Sequence, residues 1–347
     1  MKRHLNTLYI TTDGAWLSKD GENVVVSSEG QEIGRVPVHT IGGIIGFGRV
    51  LMSPQLMGHC AENDIGMSFL SENGRFLARV VGPQSGNVLL RREQYRRADD
   101  ETATAMLVRS FIAGKTINKR TVLRRALRDH GASMDATVRA RLETSADRLT
   151  AIARKTANRS ILTDELRGLE GEAGHVYFAV FDNLIRSDKD VFKFQGRSRR
   201  PPLDRVNAVL SFVYTLLAHD VRSALECVGL DPAVGFLHRD RPGRSSLALD
   251  IMEEFRPFFA DRLVLSLINR RQLGAKDFRE FENGAVLLTD DGRKTVLVAY
   301  QERKREELTH PFIEEKVTVG LSWHVQAQLL ARHLRGDLDG YPPFVWK

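Results

Sequence analysis

Gly235-Phe-Leu-His238-Arg-Asp-Arg-Pro-Gly-Arg-Ser245-Ser-Leu-Ala-Leu-Asp250-Ile-Met-Glu253-Glu-Phe-Arg-Pro257 sets a histidine, a basic loop and a carboxylate-bearing helix in succession. Ser245 and Ser246 are candidate N-caps. Leu247, Ala248, Ile251, Met252 and Phe255 recur at helical spacing, so one face is apolar and expected to be buried. Asp250 and Glu253 stand three apart on another face, where both carboxylates can converge on one cation while His238 reaches in from the preceding loop. Imidazole accepts manganese or zinc and carboxylates favour magnesium or manganese, so the mixed set points to Mn2+ or Mg2+. The competing reading is an ordinary solvated face made by Asp250, Glu253 and Glu254. Arg239, Arg241, Arg244 and Arg256 weigh against it, because such a cluster is expected where an anionic phosphate meets a carboxylate-held metal.

Working outward, 347 residues suggest two domains. Hydrophobic and charged contents of 42% and 27% are ordinary for a globular protein, and no apolar run approaches the ~20 residues of a membrane span. Met1 to Thr12 carries no signal-peptide core, which reads as an intracellular, cytoplasmic protein. Cys60 and Cys227 are isolated, so neither a disulfide framework nor a zinc knuckle is expected; Cys60 beside His59 reads as a buried structural cysteine. Residues 1 to 83 hold seven Lys/Arg against eight Asp/Glu, a balance of −1, and the net charge of +7 therefore places +8 in the remainder. A basic excess confined to one part is the footprint of an anionic polymer such as nucleic acid, or simply a solubilising charge.

From Leu5 to Val81, short apolar runs alternate with Asp13-Gly14, Asp20-Gly21, Glu29-Gly30 and Asn73-Gly74, which read as hairpin turns. Ser53 to Asn63 has helical spacing. The expected fold class is α+β: a β-rich, sandwich-like domain over 1–83 for packing or dimerisation, a linker over 84–94 opened by Pro83-Gln84-Ser85-Gly86, and a larger, mainly helical domain over 95–347. Asp100 to Gly114 and Ile117 to His130 read as two helices, the second with Lys119, Arg120, Arg124, Arg125 and Arg128 on a polar side that is either a solvated face or a phosphate track. Thr163 to Ile185 reads as a helix in which Gly168, Gly171 and Gly174 would each cost up to ~1 kcal/mol relative to alanine, so close approach of a backbone or ligand is the reason sought for them. Glu170 stands among those glycines, unhindered as a metal ligand, or simply exposed.

Arg186 to Arg205 reads as a loop with seven Lys/Arg and three Asp, in which Phe192 and Phe194 interleave with Arg197, Arg199 and Arg200 as in surfaces that grip flexible strands. Pro201-Pro202 opens a helix to Cys227 whose stripe of Asn207, Ser211 and Tyr214 is a candidate phosphate contact or a plain wet face. Gly284 to Tyr300 reads as a hairpin about Asp290-Asp291-Gly292, Val317 to Leu334 as a last helix, and Gly336 to Lys347 as irregular.

Four ordered blocks, Leu-Arg-Gly-Leu-Glu170-Gly-Glu-Ala, Asn207-Ala-Val-Leu-Ser-Phe-Val-Tyr214, Gly235-Phe-Leu-His238 and Ser-Leu-Ala-Leu-Asp250-Ile-Met-Glu253-Glu-Phe-Arg-Pro, strongly resemble the CRISPR-associated spacer-acquisition integrases, the larger subunit of the adaptation complex. The resemblance covers essentially the whole chain. It implies an N-terminal β domain, a helical catalytic domain, Glu170, His238 and Glu253 as Mn2+ or Mg2+ ligands, and Asp250 as the neighbouring catalytic acid. Position 253 is Glu where other members carry Asp, which leaves the division of labour with Asp250 open. The implied activity is metal-assisted attack of a DNA fragment's 3′-hydroxyl on a strand of the CRISPR array, with water as attacker giving endonuclease activity. Implied partners are DNA, a second copy of the chain and a small CRISPR-associated subunit, with Arg197, Arg199, Arg200, Asn207, Ser211, Tyr214, Arg239, Arg241 and Arg244 on the DNA.

Two other classes fit parts of the pattern. A non-catalytic nucleic-acid scaffold accounts for the charge alone. A di-iron helical oxidoreductase would use Glu172, His175, Glu307 and His310, which form two Glu-x-x-His motifs, although Pro311 argues against a continuous bundle helix there.

Overall fold

The computed structural model describes residues 6–63, 65–72, 76–82, 88–158 and 160–346. The described chain opens with β1 (Asn6–Ile10), β2 (Trp16–Asp20), β3 (Asn23–Ser28), β4 (Gln31–Pro37), β5 (Ile41–Phe47), β6 (Leu51–Met52), α1 (Pro54–Glu62), β7 (Gly66–Leu70) and β8 (Phe76–Val80). They form two four-stranded sheets, in the orders β1-β5-β7-β8 and β4-β3-β2-β6. Asp20-Gly21 and Glu29-Gly30 do turn hairpins; at the second, both residues have positive φ, the backbone that two-residue antiparallel turns favour. Asp13-Gly14 instead links the sheets, because β1 pairs in parallel with β5 and β2 pairs with β3. The turn at 73–74 and the breaker at 83–86 lie outside the described residues.

Strand alternation lets β5 serve two cores. Ile44 joins Leu17, Val24, Met67 and Cys60 between the sheets, while Ile45 and Phe47 face the helices, Phe47 lying 6.0 Å from Phe212. The rest of the chain is α2 (Val88–Asp99), α3 (Glu101–His130), α4 (Ala136–Thr156), α5 (Thr163–Phe178), α6 (Arg205–Cys227), α7 (Ser246–Phe255), α8 (Arg262–Asn269), β9 (Phe278–Glu280), β10 (Val286–Leu288), α9 (Asp290–Arg305), β11 (Glu307–Thr309), β12 (Lys316–Thr318) and α10 (Val319–Arg335). No helix among the described residues is long and apolar enough to cross a membrane.

Several local expectations are corrected by packing. Residues 88–94 begin α2, because buried Gln94 holds the loop before the site through Asp231 O, Val234 O and Asp231 N, at 2.8, 2.8 and 2.9 Å. The two predicted helices over 100–130 are one. Gly114 does not break α3; it is where the C-terminal tail lies against it, so that a Cβ there would stand 3.1 Å from Pro343. The helix after Thr163 stops at Phe178, and α6 begins only at Arg205, capped by Asp204, because Pro202 runs extended and its carbonyl accepts from Val286 N. Asp290-Asp291-Gly292 opens α9 rather than turning a hairpin, with Thr289 accepting from Gly292 N and two acids in the positive first turn.

The tail from Gly336 is irregular but fastened. Asn118 donates to Phe344 O and accepts from Trp346 N, and Trp346 lies between the guanidinium groups of Arg125 (3.8 Å) and Arg262 (4.4 Å). His310 is buried against Phe344, with ring centroids 5.6 Å apart, and burial pushes its pKa down to about 4, only partly offset by Gln326. Its value in the unfolded chain is ~6.5, so between those limits the unfolded chain holds the extra proton. Stability should therefore fall as pH drops from about 6.5 toward 4. Urea unfolding at pH 7 and pH 5 should show that loss, and His310→Leu should make the two midpoints more alike.

Candidate active site

Asp250 is completely buried in α7, and every contact it makes points backward to the loop before the helix. Its Oδ2 accepts from Phe236 N (2.7 Å) and Leu237 N (3.0 Å), and its Oδ1 from His238 N (3.0 Å) and His238 Nδ1 (2.6 Å). Gly235 permits this, since a Cβ there would come within 2.9 Å of the same carboxylate. With Nδ1 committed, the imidazole offers Nε2, which lies 3.9 Å from Glu253 Oε1. The solvated-face reading of α7 is thus overturned: Asp250, Glu253 and Glu254 are all buried, and Pro257 ends the regular turns just beyond them, where one π-helical turn leads into α8.

Glu253 is surrounded by positive groups. Its Oε1 pairs with Arg256 Nη1 at 2.6 Å and its Oε2 with Lys115 Nζ at 2.5 Å. Burial works to raise its pKa, but Arg256, then Lys115 and His238, hold it far below the usual carboxylate range. The Lys115 ammonium also pairs with Glu170 of α5, so the two carboxylates meet across it. Among the described residues, no three His, Cys, Asp or Glu side chains stand close enough together to enclose an ion as they are placed. Glu170, His238 and Glu253 nevertheless line one cavity of about 350 Å³, with Arg167, Arg199, Arg239, Arg241, Arg244 and Arg256 around it.

A second cavity, of about 590 Å³, lies beyond Glu170 and shares Glu170, Arg199 and Arg256 with the first. Gly171 and Gly174 form its wall. Cβ atoms on Gly168 and Gly171 would meet nothing within 4 Å, so these glycines leave open space rather than seat another segment. Asn207 is completely buried and contacts its own loop: it accepts from Arg197 Nη1 (2.5 Å) and donates to Gly196 O (2.7 Å). Ser211 Oγ lies 3.3 Å from the same guanidinium, whose centre is 5.1 Å from the Tyr214 ring, and the Tyr214 hydroxyl donates to Asp261 at 2.5 Å. Asn207 and Ser211 of the stripe therefore mount Arg197, while Tyr214 also lines the second cavity. Arg200 is exposed and lines neither cavity. Phe192 and Phe194 are buried against Phe278 and Phe181, so the exposed grip expected of them is corrected to packing, with Phe194 also lining the second cavity.

Two groups the sequence reading did not place in the site come from α3. Lys115 was not singled out, and Lys119, assigned to a polar face, is only 2% exposed. The available signal was that both lysines lie among Phe111, Ile112, Val122 and Leu123 rather than opposite them. Burial lowers the Lys119 pKa to about 7, with Lys115 adding to the effect and Glu170, Glu253 and Asp261 opposing it. Arg120, Arg124, Arg125 and Arg128 instead line a groove with Arg154 of α4. The di-iron set is not assembled: Glu172 pairs with Arg148, and Glu307 lies on a strand.

Carboxylates and an imidazole face an arginine-lined cavity in the helical part of a chain that opens with two strand-rich sheets, an arrangement suited to binding an anion beside a metal. The chain belongs to the CRISPR associated protein Cas1 family, whose model matches residues 8–302. It is 56% identical over 349 aligned positions to a CRISPR-associated endonuclease Cas1 of Chlorobaculum tepidum and 58% identical over 347 to one of Rhodospirillum rubrum, covering 100% of both chains in each case. Among solved structures, a CAS1 protein from Thermotoga maritima is 25% identical with a TM-score of 0.79, over 95% of this chain and 97% of that one. A casposase bound to integration product shares the fold at 23% identity and a TM-score of 0.81, over 99% of this chain and 94% of that one.

Removing the Asn207 amide leaves Arg197 to Ser198 O and Ser211 and takes away the bonds to Gly196 O and Ser198 N, a loss of buried hydrogen bonds of ~1–3 kcal/mol. Asn207→Ala should lower the thermal midpoint by several degrees and speed tryptic cleavage at Arg197 and Arg199; unchanged proteolysis would show that the stripe does not hold this loop.

Proposed function

We propose that this chain is a divalent-metal-dependent DNA endonuclease and integrase that inserts DNA fragments into a CRISPR array. The observation that carries the reading is the meeting of Glu170, His238 and Glu253 on one arginine-lined cavity, in a chain whose relatives are named CRISPR-associated endonucleases. The donor set fits a metal on its own terms. Both carboxylates already turn toward one cationic group, Lys115 Nζ, and His238 has Nε2 left to offer. Glu170, His238 and Glu253 would hold Mn2+ or Mg2+, which supplies positive charge to polarise a phosphodiester and stabilise its developing oxyanions. Asp250 is then a positioning residue, because its four contacts fix the imidazole and its loop rather than reach the cavity.

The chain's own groups do the remaining work. Arg199, Arg239, Arg241, Arg244 and Arg256 neutralise phosphates at the two cavities, and burial together with the neighbouring Arg241 already holds the Arg244 guanidinium below its ordinary pKa, which an anion would relieve. Asn207 and Ser211 hold Arg197 at the edge of the second cavity. A 3′-hydroxyl bound beside the reacting phosphate has an effective concentration that bulk water lacks, so strand joining is favoured once a DNA end is seated. Joining at both ends of a repeat requires two sites. We therefore assign a homodimer bridged by a small CRISPR-associated subunit, with residues 1–83 serving packing and dimerisation.

Glu170→Ala and His238→Ala should each lower manganese-dependent nicking and joining by at least ~10²-fold while the circular dichroism spectrum is kept, and Asp250→Asn should weaken Mn2+ binding ~10–100-fold in calorimetry. A fragment ending in a 2′,3′-dideoxynucleotide should not be joined. Near wild-type turnover in either alanine variant would sink the site assignment, whereas equal DNA binding with chelator and no cleavage under any condition would leave a scaffold.

A further inference from the structure

Lys119 sits in the middle of α3, one turn beyond Lys115, and the two lysines have opposite circumstances. Lys115 has a carboxylate on either side. The Lys119 Nζ is buried without a hydrogen-bond partner, with only the rings of Tyr177 and Phe178 beneath it at 5.5 and 5.8 Å. Three donors removed from water and given no acceptor are strongly unfavourable, so such a group persists where something outside the chain supplies the acceptor. The neighbouring acids are already engaged. Glu170 and Glu253 face Lys115, and Asp261 takes the Tyr214 hydroxyl at 2.5 Å.

The amine lines the 590 Å³ cavity beside Glu170, together with Arg197, Arg199 and Arg256. Glycine keeps side-chain bulk away from the amine on that side. A Cβ on Gly171 would meet nothing within 4 Å, and one on Gly174 would meet only the Lys119 Nζ, at 3.8 Å. A cavity with an unpartnered amine and three guanidinium groups, its α5 wall stepped by Gly171 and Gly174 between Glu170, His175 and Phe178, suits a phosphate whose oxygens need donors.

We propose that Lys119 is a catalytic residue of the site, donating to the non-bridging oxygens of the reacting phosphate from the α5 side while Glu170, His238 and Glu253 act from the other. This rests on the DNA-processing reading above. A donor aimed where charge develops contributes most in the transition state, and its unmet hydrogen bonds in the free protein are the corresponding loss of stability.

Lys119→Met keeps the length and apolar body of the side chain and removes only the ammonium, so its effects on stability and on turnover should have opposite signs. The thermal midpoint should rise by a few degrees, because a buried amine without a hydrogen-bond partner is gone. Nicking and joining at saturating Mn2+ and DNA should fall ~10²-fold, with no loss of Mn2+ affinity. Replacing one non-bridging oxygen of the scissile phosphate by methyl should slow the wild type and add little to the Lys119→Met defect. A lower midpoint in Lys119→Met would make the amine a structural group and overturn the proposal, as would a rate within ~3-fold of an active wild type. If the wild type itself neither nicks nor joins, the DNA-processing reading fails and Lys119 falls with it.

Discussion

The buried carboxylate of Asp250 is the constraint on which the rest of the site depends. Four hydrogen bonds tie the 236–238 backbone and the His238 ring to one side chain in α7. A carboxylate with all its lone pairs answered can be buried without exceptional cost, and it fixes at once the loop path, the imidazole tautomer and the nitrogen left for chemistry. Three residues later in the same helix, Glu253 points toward α3 instead. The helix therefore divides its acids by direction, one backward to hold the histidine and one forward to the cavity.

That division works only if α7 is enclosed on every side, and the enclosure is polar where it has to be. Glu254 accepts through its carboxyl group from Gln326, Tyr341 and the Phe344 amide while Asn118 donates to its backbone carbonyl, and burial raises its pKa to about 8 against the lowering effect of the three carboxyl contacts. It can thus be housed in its protonated form near neutrality, which avoids a third buried negative charge beside Asp250 and Glu253. The same residues clamp the C-terminal tail over α3 and α7. A strap at the far end of the sequence consequently shares in locating Glu253.

Much of this was legible in the residues. The hydrophobic spacing of 247–255, the 3-residue offset of its acids and the histidine in the loop before it placed His238, Asp250 and Glu253 together, and glycines around Glu170 marked an open helical face. What could not be read was direction. Asn207, Ser211 and Tyr214 share a face at helical spacing, but spacing does not say whether that face meets solvent or Arg197. Phe192 and Phe194 look like an aromatic grip in sequence, yet their partners are Phe278, Phe178 and Phe181, which only the folded chain brings near. Lys115 and Lys119 were obscured because lysine is almost never buried, and the rule that places it on a surface fails where a functional cavity opens inside a helical body.

Electrostatics then explains why the cleft has two arms rather than one. Glu170 and Glu253 carry the negative charge at its centre, and Lys115 and Arg256 flank them, while further arginines stand along both arms. An anion approaching from either side meets arginines first, and at the centre the two carboxylates are matched by Lys115 and Arg256, so each arm attracts a phosphate more strongly than the centre does until added positive charge leaves the centre in excess. On the proposed reading, metal binding supplies that excess, and two DNA segments can be drawn to the same point from different sides without competing for one channel. Because the arms share Glu170, Arg199 and Arg256, whatever occupies one alters the field felt in the other.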